Sequence, residues 1–184
     1  MSFEDYPEVV CVDPGSYVVR TTEGMQRLGE LLGGILREGD VVVLTGDLGA
    51  GKTQLTKGVA RGMGIRDVVT SPTFTIMMAY QGQDMPLYHF DLYRIQDFDE
   101  LYDTGLFDVL GEGGVCMIEW GEQFSRAIGE ERLDVILTRM NEDADFELGV
   151  EPPRFVEFIA CDMRASNIVD ELARRFAAQE GEAS

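Results

Sequence analysis

The chain has 184 residues, a length that suits one domain with a substantial hydrophobic core. Its 45% hydrophobic and 27% charged residues are typical of globular proteins, and no apolar run approaches the roughly 20 residues of a membrane helix. The formal net charge of −19 disfavours direct binding to DNA or RNA, because most of the surface repels a phosphate backbone.

Residues 1–15 (MSFEDYPEVVCVDPG) contain two prolines and no clear period, so we expect an extended or flexible N-terminal arm. They lack the basic-then-apolar order of a signal peptide, and we expect a cytoplasmic protein without membrane contact. Cys11, Cys116 and Cys161 are odd in number, far apart and set in apolar runs. This pattern predicts three buried, reduced thiols rather than a metal site or disulfide framework.

The first predicted elements lead to a glycine-rich loop. Residues 16–21 (SYVVRT) are a candidate strand, and apolar residues at helical spacing predict a helix over 22–37, capped by Thr21 or Thr22. Residues 40–46 (DVVVLTG) are continuously apolar, which predicts a strand covered on both faces.

Residues 46–53 (GDLGAGKT) match the phosphate-loop pattern G-x-x-x-x-G-K-[ST] completely, with a strand predicted before them and a helix over 52–61 after them. Glycines let the backbone curl around a phosphate, and the helix N-terminus adds partial positive charge. The pattern predicts that Lys52 binds the β- and γ-phosphates and that the Thr53 hydroxyl binds Mg²⁺. The other candidate nucleotide-binding residues of the loop are Asp47, Leu48, Gly49, Ala50 and Gly51. No N-K-x-D sequence follows, which favours ATP over GTP.

Two carboxylates end apolar runs further along the chain. A phosphate-loop enzyme needs an acid to hold Mg²⁺ or to position water, and Asp91 and Glu119 are the candidates. Ser71-Pro72-Thr73 is either a switch that senses the γ-phosphate or a turn that enters a strand. His89, the only histidine, is a possible general base, but its apolar and aromatic neighbours favour a structural role. Trp120, the only tryptophan, either stacks on a base or fills the core, and we expect the core.

The remaining pattern predicts a mostly β second half. Strands are expected at 71–82, 86–95, 115–120, 132–140 and 153–162, helices at 97–110 and 165–178, a solvated acidic loop at 141–151 and a frayed end at 179–184. Together these elements predict one α/β domain over 16–178. We expect a three-layer α/β/α P-loop fold with a mixed parallel and antiparallel sheet, the antiparallel strands lying to one side.

The segments GDLGAGKT, SPTFT, YHFDLYR and IEWGE, in this order and spacing between Gly46 and Glu122, resemble the TsaE (YjeE) family. Any phosphate-loop protein shares the first segment, whereas the combination of the others is highly specific. The family consists of bacterial ATPases of tRNA N6-threonylcarbamoyladenosine (t6A) synthesis. The resemblance implies binding and slow hydrolysis of ATP with Mg²⁺, which would drive turnover of a complex of TsaB-like and TsaD-like proteins. tRNA would be reached only through that complex, in agreement with the negative charge of this chain.

The resemblance also implies roles for single residues. Lys52 would bind phosphate, Thr53 and Glu119 would hold Mg²⁺, and Asp91 would assist hydrolysis. The remaining implied nucleotide contacts are Ser71 and Thr73 in a switch-like segment, Trp120, Thr22 near the adenine, and Arg154.

Two alternatives to this ATPase are considered. A P-loop kinase usually needs an arginine-rich lid, yet Arg94 is the only Lys or Arg between Asp67 and Arg126. A nucleotide-dependent binding module with negligible hydrolysis would keep Lys52 but would need no acid such as Asp91.

Overall fold

The structure is a computed structural model that describes residues 8–140 and 152–182. Its strands in this part of the chain are β1 (Val9–Asp13), β2 (Ser16–Val19), β3 (Val41–Thr45), β4 (Met77–Gln81), β5 (Pro86–Asp91), β6 (Val115–Glu119), β7 (Leu133–Arg139) and β8 (Arg154–Ala160). The helices are α1 (Thr22–Gly33), α2 (Lys52–Gly62), α3 (Phe98–Asp103), α4 (Leu106–Val109), α5 (Ser125–Ile128) and α6 (Met163–Glu182). Among them, none is sufficiently long and apolar to cross a bilayer.

The strands form one mixed sheet in the order β1-β2-β8-β7-β3-β6-β5-β4. The four central strands, β7, β3, β6 and β5, are parallel to one another. Strands β8, β2 and β1 continue antiparallel on one side, and β4 pairs antiparallel with β5 on the other. The mixed sheet is confirmed, whereas the prediction that antiparallel strands lie only to one side is wrong, because β4 folds back on β5 at the opposite edge.

Helices cover both faces of the sheet, as the continuous apolar run of β3 predicts. Val42 and Leu44 pack into a core with the buried residues of α1, α2 and α6. Val41 and Val43 point to the other face and pack with those of α3, α4 and α5. The three-layer α/β/α architecture is thereby confirmed.

Several element boundaries differ from those predicted. Residues 9–13 of the expected arm form an edge strand that pairs with β2, and its first residue, Val9, is buried in the core with residues of α1. The strand predicted at 71–82 is confined to β4; residues 71–76 form a turn instead, with Ile76 at φ +65°. The helix predicted at 97–110 breaks into α3 and α4 at Gly105, whose φ is +77°. Helix α6 continues through 179–182, where fraying was predicted, and the acidic loop at 141–151 lies outside the described residues.

The three cysteines are free thiols in different surroundings. Cys116 is buried, Cys161 is half-buried and Cys11 is exposed. The prediction of burial is therefore confirmed for Cys116 and wrong for Cys11, which lies on the edge strand β1 with a single neighbouring strand.

Candidate functional site

The glycine-rich loop at 46–51 joins β3 to α2 in a conformation that requires glycine. Gly51, the residue before α2, has φ +109°, and a Cβ at Gly46 would lie 2.4 Å from the carbonyl oxygen of Leu137. The first N–H groups of α2 have no acceptor within the helix. They lie at a cleft that Gly51, Lys52 and Thr53 line, so an anion there would meet both these donors and the positive end of the helix dipole.

The cleft has a volume of about 340 Å³ and lies at the carboxyl ends of the parallel strands. Of the predicted binding residues, only Asp47 and Ala50 do not line it, and Gln54 lines it without having been predicted. The predicted residues that line it are Thr22, Leu48, Gly49, Gly51, Lys52, Thr53, Ser71, Thr73, Asp91, Glu119, Trp120 and Arg154. Residues that lie as far apart in the sequence as 22 and 154 therefore share one cleft.

A larger cleft of about 420 Å³ lies at the opposite ends of the parallel strands, near Arg132 and Arg164. Arg164 forms an ion pair with Asp40 at 2.6 Å, and Arg132 forms one with Asp134 at 2.7 Å. No predicted site residue is among the described residues that line it. The cleft at the glycine-rich loop is therefore the candidate site.

Lys52 is held inside the loop. Its Nζ donates to the carbonyl oxygens of Gly46 at 2.5 Å and Asp47 at 3.0 Å, and lies 4.0 Å from the centroid of the Trp120 ring. Burial lowers the pKa of the Lys52 ammonium, and the charge of Glu119 opposes this effect. A cation that is partly removed from water and bonded to neutral carbonyls would gain from a phosphate anion, because charge-assisted hydrogen bonds are stronger.

Glu119 and Thr53 bring two oxygen ligands together. The Thr53 hydroxyl donates to Glu119 Oε1 at 2.8 Å, and Glu119 is buried at the carboxyl end of β6. Hard oxygen donors of this kind suit Mg²⁺, which takes few protein ligands and keeps phosphate and water oxygens. In the described part of the chain, no three His, Cys, Asp or Glu side chains group as a metal site. The residues fit Mg²⁺ held jointly with a nucleotide rather than by the protein alone.

Asp91 lies beside Glu119, since the two residues are register partners on β5 and β6. Its Oδ2 accepts hydrogen bonds from the Thr73 hydroxyl at 2.6 Å and the Ser71 hydroxyl at 3.2 Å. Its Oδ1 accepts one from the Tyr93 amide at 3.1 Å. Residues 71–73 thus lie in a turn, as one interpretation predicts, and the hydroxyl groups of Ser71 and Thr73 also contact Asp91, the candidate acid for hydrolysis. The switch interpretation stays a prediction.

Trp120, Thr22 and Arg154 complete the walls of the cleft. Trp120 has φ +62°, and its amide donates to the Leu44 carbonyl at 3.1 Å. Its ring is half-buried and packs against the core around α3 to α5. The centroids of the Trp120 and Tyr93 rings lie 5.1 Å apart. The expected core role is thus only part of its setting, since the same residue faces the cleft.

His89 is fully buried, as expected of a structural residue. Its Nε2, however, lies 2.9 Å from Glu119 Oε1. Sequence reasoning missed this pair, although His89 lies two residues before Asp91 and therefore on the same face of β5.

Comparisons with known proteins converge on one family. The family described as "Threonylcarbamoyl adenosine biosynthesis protein TsaE" matches residues 19–146. The tRNA threonylcarbamoyladenosine biosynthesis protein TsaE of Bacillus subtilis is 38% identical over 152 residues, which are 83% of this chain and 89% of the relative. Its namesake in Treponema pallidum is 41% identical over 133 residues, 72% of this chain and 97% of the relative. The crystal structure of Bacillus subtilis YdiB superposes with a TM-score of 0.71 and 32% identity, covering 87% of this chain and 94% of that one.

Proposed function

Since the chain belongs to the TsaE family, we propose that it is a Mg²⁺-dependent ATPase that supports t6A modification of tRNA. ATP binding and hydrolysis would drive turnover of a complex of TsaB-like and TsaD-like proteins. The observation that carries the proposal is the convergence of Lys52, Thr53, Glu119 and Asp91 on one cleft at the carboxyl edge of the sheet.

Each of these side chains has a distinct task in ATP binding. Lys52 exchanges its two carbonyl acceptors in the loop for phosphate oxygens, while the first amides of α2 bind the same phosphates. Thr53 and Glu119 hold Mg²⁺, which when bound neutralises charge that develops on the phosphates. Trp120, Thr22 and Arg154 form the walls against which the nucleoside lies.

Asp91 is the residue that separates hydrolysis from binding. It lies next to Glu119 and lines the same cleft as Lys52 and Thr53, so in this proposal it is the acid nearest the water that attacks the γ-phosphate. Its carboxylate orients that water for attack, a task for which other phosphate-loop enzymes also use a positioned side chain. Its bonds to Ser71 and Thr73 connect the state of this acid with the turn at 71–73, which a partner protein would sense.

Charge supports an indirect contact with tRNA. A chain with a net charge of −19 repels nucleic acid, so tRNA would be bound by the partner proteins, with this chain acting on them. In this proposal the ATPase therefore contacts the partner proteins and not the tRNA.

Reconstitution tests this proposal. The chain is mixed with TsaB, TsaD, a threonylcarbamoyl-adenylate source and tRNA, and modification is followed over several turnovers with Lys52→Ala and with Lys57→Ala, which changes a lysine of α2 outside the cleft. We expect multiple turnovers with wild type and Lys57→Ala, and at most a single turnover with Lys52→Ala. Multiple turnovers without the chain, or with Lys52→Ala, would refute the function.

A further inference from the structure

His89 occupies a position in the sheet that otherwise belongs to the core. On the face toward α2, β5 presents Leu87, His89 and Asp91 in a row, and β6 presents Val115, Met117 and Glu119 beside them. Register pairs His89 with Met117, which makes Glu119 its diagonal neighbour. The imidazole thus lies between the apolar residues Leu87 and Val115 and the carboxylates Asp91 and Glu119.

An imidazole at that position lowers the stability of the fold relative to an apolar side chain. The side chain is fully buried, and its Nδ1 has no hydrogen-bond partner among the described residues. A buried polar atom without a partner costs stability, which an apolar side chain of similar size in the same row would avoid. The other ring nitrogen, Nε2, does have a partner, the carboxylate of Glu119. We therefore look for the role of His89 in this contact.

Two donors converge on one oxygen of Glu119. His89 Nε2 lies 2.9 Å from Oε1, and the Thr53 hydroxyl lies 2.8 Å from the same atom. A carboxylate oxygen accepts, so Nε2 carries the proton, and a neutral ring then has an unprotonated Nδ1. The two bonds reach Oε1 from different elements, β5 and α2, and together they fix the orientation of the carboxylate.

We propose that His89 is a positioning residue that orients the Glu119 carboxylate for Mg²⁺ through an Nε2–H hydrogen bond. The inference rests on the proposed function, because Glu119 is a Mg²⁺ ligand only in that reading. His89 itself touches neither metal nor nucleotide and acts on the site through Glu119. Outer partners of this kind commonly alter metal affinity about 10- to 100-fold when they are removed.

Two substitutions separate this role from simple filling of the core. His89→Gln keeps a donor near the position of Nε2, whereas His89→Leu keeps the volume and removes the donor. Mg²⁺ affinity is measured by calorimetry with saturating ADP, and ADP affinity is measured separately in EDTA. For His89→Leu we expect Mg²⁺ binding weakened about 10- to 100-fold with ADP binding in EDTA unchanged, and for His89→Gln a loss of at most a few-fold.

The outcomes separate this inference from the function on which it rests. Wild-type Mg²⁺ affinity in His89→Leu, or equal losses in both variants, would overturn the positioning role while leaving the ATPase intact. Wild-type protein that binds ADP equally well with and without Mg²⁺ would instead count against the proposed Mg²⁺ site, and with it this role.

A measurement on the unaltered protein covers the case in which His89→Leu does not fold. His89 is the only histidine of the chain, so ¹⁵N-histidine labelling yields the signals of a single imidazole. We expect a proton on Nε2, seen in the ¹⁵N chemical shifts, and a change in those shifts when Glu119 is replaced by Gln. A ring protonated only on Nδ1 would overturn the proposal, because such a ring does not donate to Glu119.

Discussion

A Cβ atom on Gly58 of α2 would lie 2.1 Å from the carbonyl oxygen of Gln26 in α1, a distance that real side chains do not tolerate. Gly29 and Gly33 of α1 and Gly62 of α2 lie equally close to the facing backbone, where a Cβ would come within 2.2–2.3 Å of a carbonyl oxygen. These four glycines form a seam along which the two helices touch. The seam fixes how closely α2 packs on α1, and α2 is the helix that begins at the glycine-rich loop of the candidate site.

Gly58→Ala is expected to lower the free energy of unfolding by about 3 kcal/mol, because the new methyl group forces the two helices apart. Gly181→Ala is the matched control, since a Cβ there meets nothing within 4 Å and alanine favours a helix by up to about 1 kcal/mol. Urea unfolding followed by circular dichroism measures both. Equal stability of the two variants would show that α1 and α2 adjust to the extra atom without cost.

Asp91→Asn is expected to separate hydrolysis from binding. The amide keeps the size of the side chain and one acceptor for Thr73, but it removes the charge that would orient water in the proposed hydrolysis. We expect phosphate release to fall about 100-fold or more, while ATP affinity stays within a few-fold of wild type. Asp84→Asn, in the exposed turn between β4 and β5, is the control and should keep full activity.

The same substitution distinguishes the ATPase from the binding module. In the reconstituted modification reaction, Asp91→Asn should block repeated turnover if hydrolysis resets the partner complex. Undiminished turnover together with lost hydrolysis would favour the binding module instead.

Local patterns were sufficient to predict most of the candidate site. The loop at 46–53 and the acids Asp91 and Glu119 follow from short motifs and from the ends of apolar runs, which depend only on neighbouring residues. The seam glycines stand four apart in both helices, as GELLG at 29–33 and GVARG at 58–62. Spacing alone does not show which helix faces which, so this contact needed the structure.

Long-range pairing accounts for what the sequence did not predict. The contact of His89 with Glu119 depends on the parallel register of β5 and β6, which are separated in the chain by α3 and α4. Placement of β4 at the far edge likewise depends on the parallel pairing of β5 with β6, because β4 only follows β5 through the local hairpin that the sequence predicts. Local patterns specify which face of a strand a residue occupies, but strand order is a property of the whole sheet.

Alkaline pH is expected to destabilise the fold through Cys116. Burial raises the pKa of its thiol to about 12 from an ordinary value of 9.0. The folded state retains the proton while the unfolded thiol ionises, so the contribution is constant well below pH 9 and is lost as the pH rises from 9 toward 12. Between pH 8 and pH 10 this thiol alone should lower the free energy of unfolding by about 1.4 kcal/mol.

Urea unfolding of Cys116→Ala at both pH values isolates this contribution. Its loss of stability from pH 8 to pH 10 should be about 1.4 kcal/mol smaller than that of wild type. Burial also raises the pKa of the Tyr17 hydroxyl, but that effect is common to both proteins and cancels in the comparison. An identical pH dependence in the two proteins would show that the folded thiol ionises as readily as the unfolded one.

Trp120 should report nucleotide binding through its fluorescence. It is the only tryptophan of the chain, and the Lys52 ammonium lies 4.0 Å from its ring centroid. When Lys52 turns to bind phosphate, this cation leaves the ring and a nucleotide enters the cleft beside it, so emission should change saturably with ADP and Mg²⁺. Lys52→Met keeps the indole but removes the charge that would bind the phosphates, so the nucleotide should no longer bind at the same concentrations and no saturable change is expected. Nucleotide binding detected by calorimetry with unchanged emission would mean that Lys52 stays on the ring and that the phosphates lie elsewhere.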